Sequence, residues 1–355
     1  MACADGCANV RAMRIPSSLV FVLAMGLGAA AGCGGASGED SGGAQATDSG
    51  IVDGASAADG GGSGQKDGGG ASTKDGAIVD AGPVFGDADA GTYTRTVDGR
   101  PYRLVVPSGY SPSQGAPLLL LLHGYSETSA TIDTYFGMSA LAQKKGLLLV
   151  LPEGHTDHFG LQYWNSDDAC CDIDGQKPDD VGYLHHIIAD VKSTYNVDAK
   201  RVFAGGHSNG GFMSHRMACD HAEEIAGIMS LSGAAWKDPS KCSPSAPVAV
   251  LQVHGNLDTL IYYNGGFNQG VAYPGAAESV ALWAKKNGCD ATLGSTGDTL
   301  DLDTVLLGAE TKVESHTCAK GAAVLWTVQG ATHFPTFGST WAETFYAFLA
   351  AHPKP

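Results

Sequence analysis

The stretch Arg201-Val202-Phe203-Ala204-Gly205-Gly206-His207-Ser208-Asn209-Gly210-Gly211 decides the fold. Arg201 to Ala204 reads as a buried strand and Gly211 to Ala218 as a helix, so Gly206-His207-Ser208-Asn209-Gly210 is a G-x-S-x-G at a strand-to-helix turn. A turn this tight forces strained dihedrals on its central serine, and the flanking glycines let neighbouring backbone pass where a Cβ would clash. In a chain with 50 glycines the pattern alone is cheap. The strand before it and the helix after it make it a nucleophile turn.

Strands and helices alternate on both sides of that turn. Tyr93–Val97 and Tyr102–Val106 flank Asp98-Gly99, a two-residue hairpin signal. Pro117–Leu122 is a continuous apolar run suited to a strand covered on both faces. A helix over Ile132–Lys145 stops at Gly146, Leu147–Leu151 is the next strand, and Val181–Tyr195 is a helix capped by Asp179 or Asp180. Ala226–Leu231, Val248–Val253 and Ala323–Val328 continue the strands, while Ala276–Asn287 and Trp341–Ala351 are helical. The expected fold is α/β, an α/β-hydrolase with a mostly parallel central sheet and helices on both faces.

A serine nucleophile needs a base, and the base needs an orienting acid. In this architecture they follow in the order Ser, Asp, His, each just past the carboxyl end of a later strand. Val248–Val253 runs into His254-Gly255-Asn256-Leu257-Asp258, and Ala323–Val328 into Gly330-Ala331-Thr332-His333, which nominates Ser208, Asp258 and His333. The bland alternatives are a turn cap for Asp258 and a satisfied loop histidine for His333. Of the 12 histidines, His185 and His186 fall mid-helix, His215 and His221 lie on or just after the helix behind the serine, and His352 is terminal. His123 follows the first buried strand in Leu122-His123-Gly124-Tyr125, where a backbone N–H completes an oxyanion hole with that of Asn209. Tyr125, or its neighbour Ser126, is the expected second donor, and His123 reads as holding the loop.

The amino-terminal part does not belong to that fold. Arg11 and Arg14 precede an apolar run from Leu19 to Ala31, too short to span a bilayer, which ends at Ala30-Ala31-Gly32-Cys33. That is export-signal geometry over residues 1–33, and Cys33 after small residues resembles a bacterial lipoprotein site, where the thiol is acylated; plain cleavage nearby is the alternative. Residues 34–90 are Gly-rich and acidic, with little that is large and apolar, and read as a disordered tether. Their Asp-Gly pairs are too irregularly spaced for a calcium-binding repeat. Residues 91–355, roughly 265 of them, can close one large core. The expected product is a membrane-anchored exported protein, otherwise a secreted one, and a monomer.

The net charge of −16 lacks the clustered Lys and Arg that a nucleic-acid partner requires. Of nine cysteines, Cys3, Cys7 and Cys33 precede the fold, leaving six in an exported domain, where disulfides are the default. Six thiols allow fifteen pairings, and spacing does not choose among them. No C-x-x-C or paired Cys/His spacing appears, so neither metal nor cofactor is expected.

Taken together, Leu122-His123-Gly124, Tyr163-Trp164-Asn165, Asp180-Val181-Gly182-Tyr183, Gly206-His207-Ser208-Asn209-Gly210-Gly211, His254-Gly255-Asn256-Leu257-Asp258 and His333 resemble the secreted polyhydroxybutyrate-depolymerase and feruloyl-esterase group across residues 91–355. The resemblance implies an acyl-enzyme route to ester hydrolysis, with Ser208 as nucleophile and Asp258 and His333 as its partners. It also implies the pairs Cys219–Cys242 and Cys289–Cys318; the pairing of Cys170 and Cys171 stays open, a vicinal bridge between them being one option. The segment Ala331-Thr332-His333-Phe334-Pro335 departs from the group's Gly-Gly-His and Thr-Trp-Pro pattern, so the pocket wall beside Phe334 differs. No binding module follows the last helix, which favours feruloyl or acetyl esters of polysaccharide and short hydroxyalkanoate esters over crystalline polyester. Trp164 and Tyr262 are candidate pocket aromatics, with a core or lid role equally open. A peptidase of the same fold and a non-catalytic surface lipoprotein are the rival readings.

Overall fold

The computed structural model describes residues 89–355. The expected signal segment, Cys33 and the tether as far as residue 88 lie outside the described residues. Strands β1 (Gly91–Val97) and β2 (Arg100–Val106) pair antiparallel. Asp98 and Gly99 between them both take positive φ, 51° and 75°, the turn whose twist matches the strands it joins. β3 (Ala116–Leu122) is buried along its whole length. The helix expected over Ile132–Lys145 is instead two, α1 (Ser129–Phe136) and α2 (Met138–Lys145), because Gly137 enters the left-handed region at φ 69°. Gly137 closes α1 by donating its N–H to Asp133 O, and the Asp133 carboxylate then caps Ser139 N.

β4 (Leu148–Pro152) follows, then a ribbon of two-residue strands, β5 (His155–Thr156) and β6 (Gln162–Tyr163). α3 (Asp180–Thr194) is capped by Asp179, whose side chain accepts from Gly182 N. β7 (Val197–His207) leads through Ser208 into α4 (Asn209–Asp220). Beyond them come β8 (Gly227–Leu231), β9 (Ala249–Gly255), a hairpin of β10 (Gly265–Asn268) and β11 (Val271–Pro274), and α5 (Ala276–Asn287). β12 (Gly294–Leu300), β13 (Thr311–Ser315), β14 (Ala322–Val328) and α6 (Trp341–Ala350) complete the chain.

The main sheet runs β1-β2-β4-β3-β7-β8-β9-β14-β13-β12, parallel from β4 to β14 and flanked at each edge by antiparallel strands. Its two faces explain the unbroken apolar runs. Leu118, Leu120 and Leu122 pack with Val202, Ile228 and Val250 against α3, α4 and α5, through Ile187, Met213 and Trp283. The alternate residues Leu119 and Leu121 pack with Phe203, Met229 and Leu251 against α1, α2 and α6, through Ile132, Leu141 and Phe345. With helices on both faces neither set of a period-2 strand can be polar. Each buried Leu there contributes about 2 kcal/mol.

Cys219 at the end of α4 is bonded to Cys242, and Cys289 after α5 to Cys318, as the resemblance implied; Cys170 and Cys171 are bonded to each other. Neither β12–β13 nor the β10–β11 hairpin was expected. β12 reads GSTGDTL, a largely exposed strand with almost nothing apolar to alternate.

Candidate active site

The serine turn is built by close approach. Ser208 sits at φ 53° and ψ −119°, outside the regions an L-residue favours, with its N–H held by Leu231 O at 2.7 Å. A Cβ on Gly210 would stand 2.2 Å from Leu122 O, and one on Gly206 2.6 Å from the same oxygen, so both positions must be glycine for α4 to start against the end of β3. The sequence GGHSNGG thus presses the serine turn onto the loop that follows β3.

That loop offers an unused donor. Among the described residues no protein acceptor meets the N–H of Tyr125, whereas Ser126 N–H is taken by Gln162 O at 2.8 Å. Asn209 opens α4, where helix geometry leaves the N–H without an internal partner. Its side chain is buried and fixed: Oδ1 accepts from Trp164 N at 2.7 Å, and Nδ2 donates to Trp164 O at 2.9 Å. Trp164 itself is fully buried, with Nε1 donating to His123 O at 2.9 Å. It is a strut under the loop and presents no ring to a ligand, which resolves the open reading of Trp164 toward the core. His123 also holds the loop: Nε2 accepts from Gly154 N at 2.9 Å and Nδ1 donates to Gly124 O at 2.8 Å. Burial pushes its imidazole below the ordinary range, keeping it neutral.

Asp258 and His333 are brought together by two stitched loops. Gly255 at the end of β9 leaves no room for a Cβ, which would lie 2.4 Å from Ala331 O and Thr332 O, and Leu257 N donates to Ala331 O at 2.9 Å. His333 Nδ1 donates to Asp258 Oδ2 at 2.7 Å, and both side chains are buried. Asp258 Oδ1 accepts from Leu260 N at 2.9 Å and Ile261 N at 3.0 Å, while His254 Nε2 lies 3.3 Å from Oδ2. Burial alone would raise this carboxyl; the hydrogen bonds from His254 and His333, with their charge, outweigh it and hold it well below the usual carboxylate range. For His333 burial wins, pushing the imidazole below its ordinary value despite the Asp258 hydrogen bond, with His207 adding to the downward push.

His207 links the serine turn to the His333 loop. Its ring lies 4.7 Å from that of His333, and its Nε2 donates to His333 O at 3.0 Å. Its Nδ1 approaches Glu127 Oε1 at 3.4 Å, and Glu127 Oε2 accepts from Gly124 N at 2.8 Å. Burial would raise Glu127, but contact with His207 and the Gly124 N–H outweighs it and lowers the carboxyl. Glu127, His207 and His254 were not singled out from sequence as supporting groups. His207 and His254 stood inside quoted motifs, but nothing there said what they touch.

Of the pocket candidates, Phe334 is 51% and Tyr262 52% exposed. Phe334 stacks edge-on to His333 at 5.0 Å and tilts against His207 at 4.7 Å, so it forms a wall immediately beside the imidazole. Leu257 and Leu260, on the Asp258 loop, are exposed as well. Asn165 and Asp180, from two motifs far apart in sequence, meet: Asp180 Oδ2 accepts from Asn165 N at 2.7 Å and Oδ1 pairs with Arg100 Nη1 at 2.5 Å.

A sheet parallel at its centre, with a strained serine at the end of β7 and a His–Asp pair past β14 and β9, defines an α/β-hydrolase. Residues 104–271 match the Phospholipase/Carboxylesterase family model. The chain is 31% identical over 191 residues to feruloyl esterase B of Piromyces equi, an alignment covering 52% of this chain and 34% of that protein. It is 24% identical over 259 residues to feruloyl esterase D of Neurospora crassa, covering 69% and 78% respectively. The chain thus spans about a third of the length of the first of these relatives. The acetyl xylan esterase from Aspergillus awamori superposes with a TM-score of 0.54 at 15% identity over 73% of this chain and 100% of that one, which is a likeness of fold. The fold is that of an α/β-hydrolase, and in sequence the chain is similar to feruloyl esterases of that fold.

Proposed function

We propose that the chain is a serine esterase that hydrolyses carboxylic esters through an acyl-enzyme on Ser208. The observation that carries this reading is the buried Asp258–His333 hydrogen bond beside the strained Ser208 turn. In the proposed route His333 Nε2 takes the Ser208 proton as Oγ attacks the ester carbonyl, and Asp258 fixes the tautomer with its proton on Nδ1. The N–H groups of Asn209 and Tyr125 receive the developing oxyanion. His333 then hands its proton to the departing alcohol, and a water activated by the same imidazole releases the acid. The proposed substrates are feruloyl or acetyl esters of polysaccharide, or short hydroxyalkanoate esters, with Phe334 and Tyr262 along the acyl or alcohol side. The names of the matched relatives favour the first two. Export, with Cys33 acylated and residues 34–90 as a tether, rests on the sequence alone.

An ester panel tests this: p-nitrophenyl acetate, methyl ferulate, acetylated xylan and hydroxybutyrate oligomers, each with wild type and Ser208→Ala. The variant should stay folded and lose at least about a thousandfold in kcat/KM. Retention of more than about a tenth of wild-type activity overturns Ser208 as nucleophile.

A further inference from the structure

Away from the serine turn, His185, His221 and Glu224 form a cluster that the proposed chemistry does not use. Each can offer one ligand atom, and these atoms all lie within 4.8 Å of one another. They come from separate places: His185 from the middle of α3, His221 from the residue that closes α4, and Glu224 from the turn after it. We propose that these three side chains bind a zinc ion that staples α3 to the far end of α4.

The chemistry fits a borderline cation: two imidazoles and one carboxylate, with a fourth position left to water. Zinc holds such ligands at about 2.0–2.2 Å, so tetrahedral ligand atoms stand roughly 3.4 Å apart, and the three must close by about 1.5 Å. The backbone beneath them is already set, with His221 N–H on Met217 O at 2.9 Å and Glu224 N–H on His221 O at 3.0 Å, which fixes His221 and Glu224 in one turn. The side chains retain freedom to close, since all three reach the surface. Glu224 Oε2 meets His185 Nδ1 at 3.0 Å, while its other oxygen accepts from Lys192 Nζ at 2.5 Å. A carboxylate anchored in that way through one oxygen is held ready to ligate through the other. The His185 and His221 rings stack 4.4 Å apart and 7° from parallel, so a modest χ rotation turns one nitrogen of each toward Glu224. Glu223 Oε1 lies 3.3 Å from His221 Nδ1, which leaves Nε2 of that ring as the nitrogen to ligate.

Sequence reading passed over the site because its spacing is split. His221-x-x-Glu224 is one turn of chain, and the third ligand arrives from a different helix. α4 has 12 residues, and at 1.5 Å per residue its far end stands about 18 Å from Ser208, so the ion would act on stability and leave hydrolysis alone.

Titration calorimetry of EDTA-treated, desalted protein with zinc chloride tests the proposal. One equivalent should bind with a micromolar or tighter Kd, and His221→Ala and His185→Gln should each weaken binding at least about tenfold. His333→Ala should bind as wild type does, which separates this cluster from the serine site whatever that site catalyses. Zinc at about a hundredfold over Kd should raise Tm by about 5 °C in wild type and not in His221→Ala. Should a variant fail to fold, cobalt added to wild type still decides: visible absorption of a four-coordinate site supports the assignment, and a six-coordinate aqueous spectrum overturns it. Absence of binding below about 100 μM, or binding unchanged in both variants, equally overturns it.

Discussion

Replacing Asp258 by Asn should cost far more than a lost charge, and the reason is legible in the hydrogen bonds around it. Asp258 Oδ1 accepts two backbone N–H groups, from Leu260 and Ile261, while Oδ2 accepts His333 Nδ1 at 2.7 Å. An asparagine must keep its oxygen where the two N–H donors are, because turning its amide there would leave both unsatisfied at about 1–3 kcal/mol each. Its NH2 therefore faces His333, whose Nδ1 has to become the acceptor, and the imidazole proton moves to Nε2. In the proposed mechanism that nitrogen can then no longer take the Ser208 proton. Reaching the productive tautomer sets N–H against N–H in a buried site. A loss of about 10³–10⁴ in kcat, or roughly 4–5.5 kcal/mol, follows, with KM nearly unchanged. No other carboxylate comes within 4.0 Å of a His333 nitrogen among the described residues, so none can stand in. Steady-state kinetics on p-nitrophenyl acetate, with circular dichroism as the folding control, reads this out. An Asp258→Asn enzyme within tenfold of wild type would sink the tautomer argument.

Further outcomes follow from the same geometry. Because burial lowers His333 below the ordinary imidazole value, and the base must be neutral, kcat/KM should stay flat on acidification until below about pH 6.5 and fall only there; a pH profile losing half its rate above pH 7 contradicts this. The Cys289–Cys318 bridge closes a 29-residue separation, for which chain entropy gives about 3–4 kcal/mol, so the paired Ser variants should melt on the order of 10 °C lower by calorimetry, and an unchanged Tm would show the bridge idle. Glu127→Ala removes both the acceptor of Gly124 N–H and the group facing His207 Nδ1; kcat should drop about tenfold to a hundredfold with folding intact, and unaltered kinetics would remove Glu127 from the positioning network.

How much of this was legible in the chain depended on whether a feature is local. The central strands were readable because both faces are covered, so that Leu118 to Leu122 and Leu148 to Leu151 carry no polar member to blur the signal. The serine turn was readable because its glycines are dictated by contacts within a few residues and by one neighbouring strand end. Gly137 was missed as a break, since Phe136 and Met138 continue the apolar pattern across it and only the backbone angle reveals the stop. β12 was missed because an exposed edge strand needs no alternation, and β13 inside it because its five residues, TKVES, are mostly polar and half-buried. For Trp164 the residue type was informative and its direction was not: whether an aromatic faces a ligand or the core depends on His123 and Asn209, 41 and 45 positions away.

In the proposed site the His of Gly206-His207-Ser208 acts as a brace between loops. Its two nitrogens face oxygens on different loops, Glu127 beside the loop after β3 and the His333 carbonyl after β14. Glu127 in turn holds Gly124 N–H, adjacent to Tyr125. One buried side chain therefore ties together the loop with the unused Tyr125 N–H, the turn that strains Ser208, and the segment carrying His333. Ser232 Oγ reaches the same His333 carbonyl at 3.5 Å from the end of β8, so the loop is held from two strands at once. Because Ser208 is the next residue in the chain, any shift of His207 moves the serine turn and the imidazole loop together. Separate anchoring would let the two drift by an ångström or so, an error that costs about a hundredfold when a proton must pass between them. A shared anchor on the residue beside the serine keeps that relation fixed.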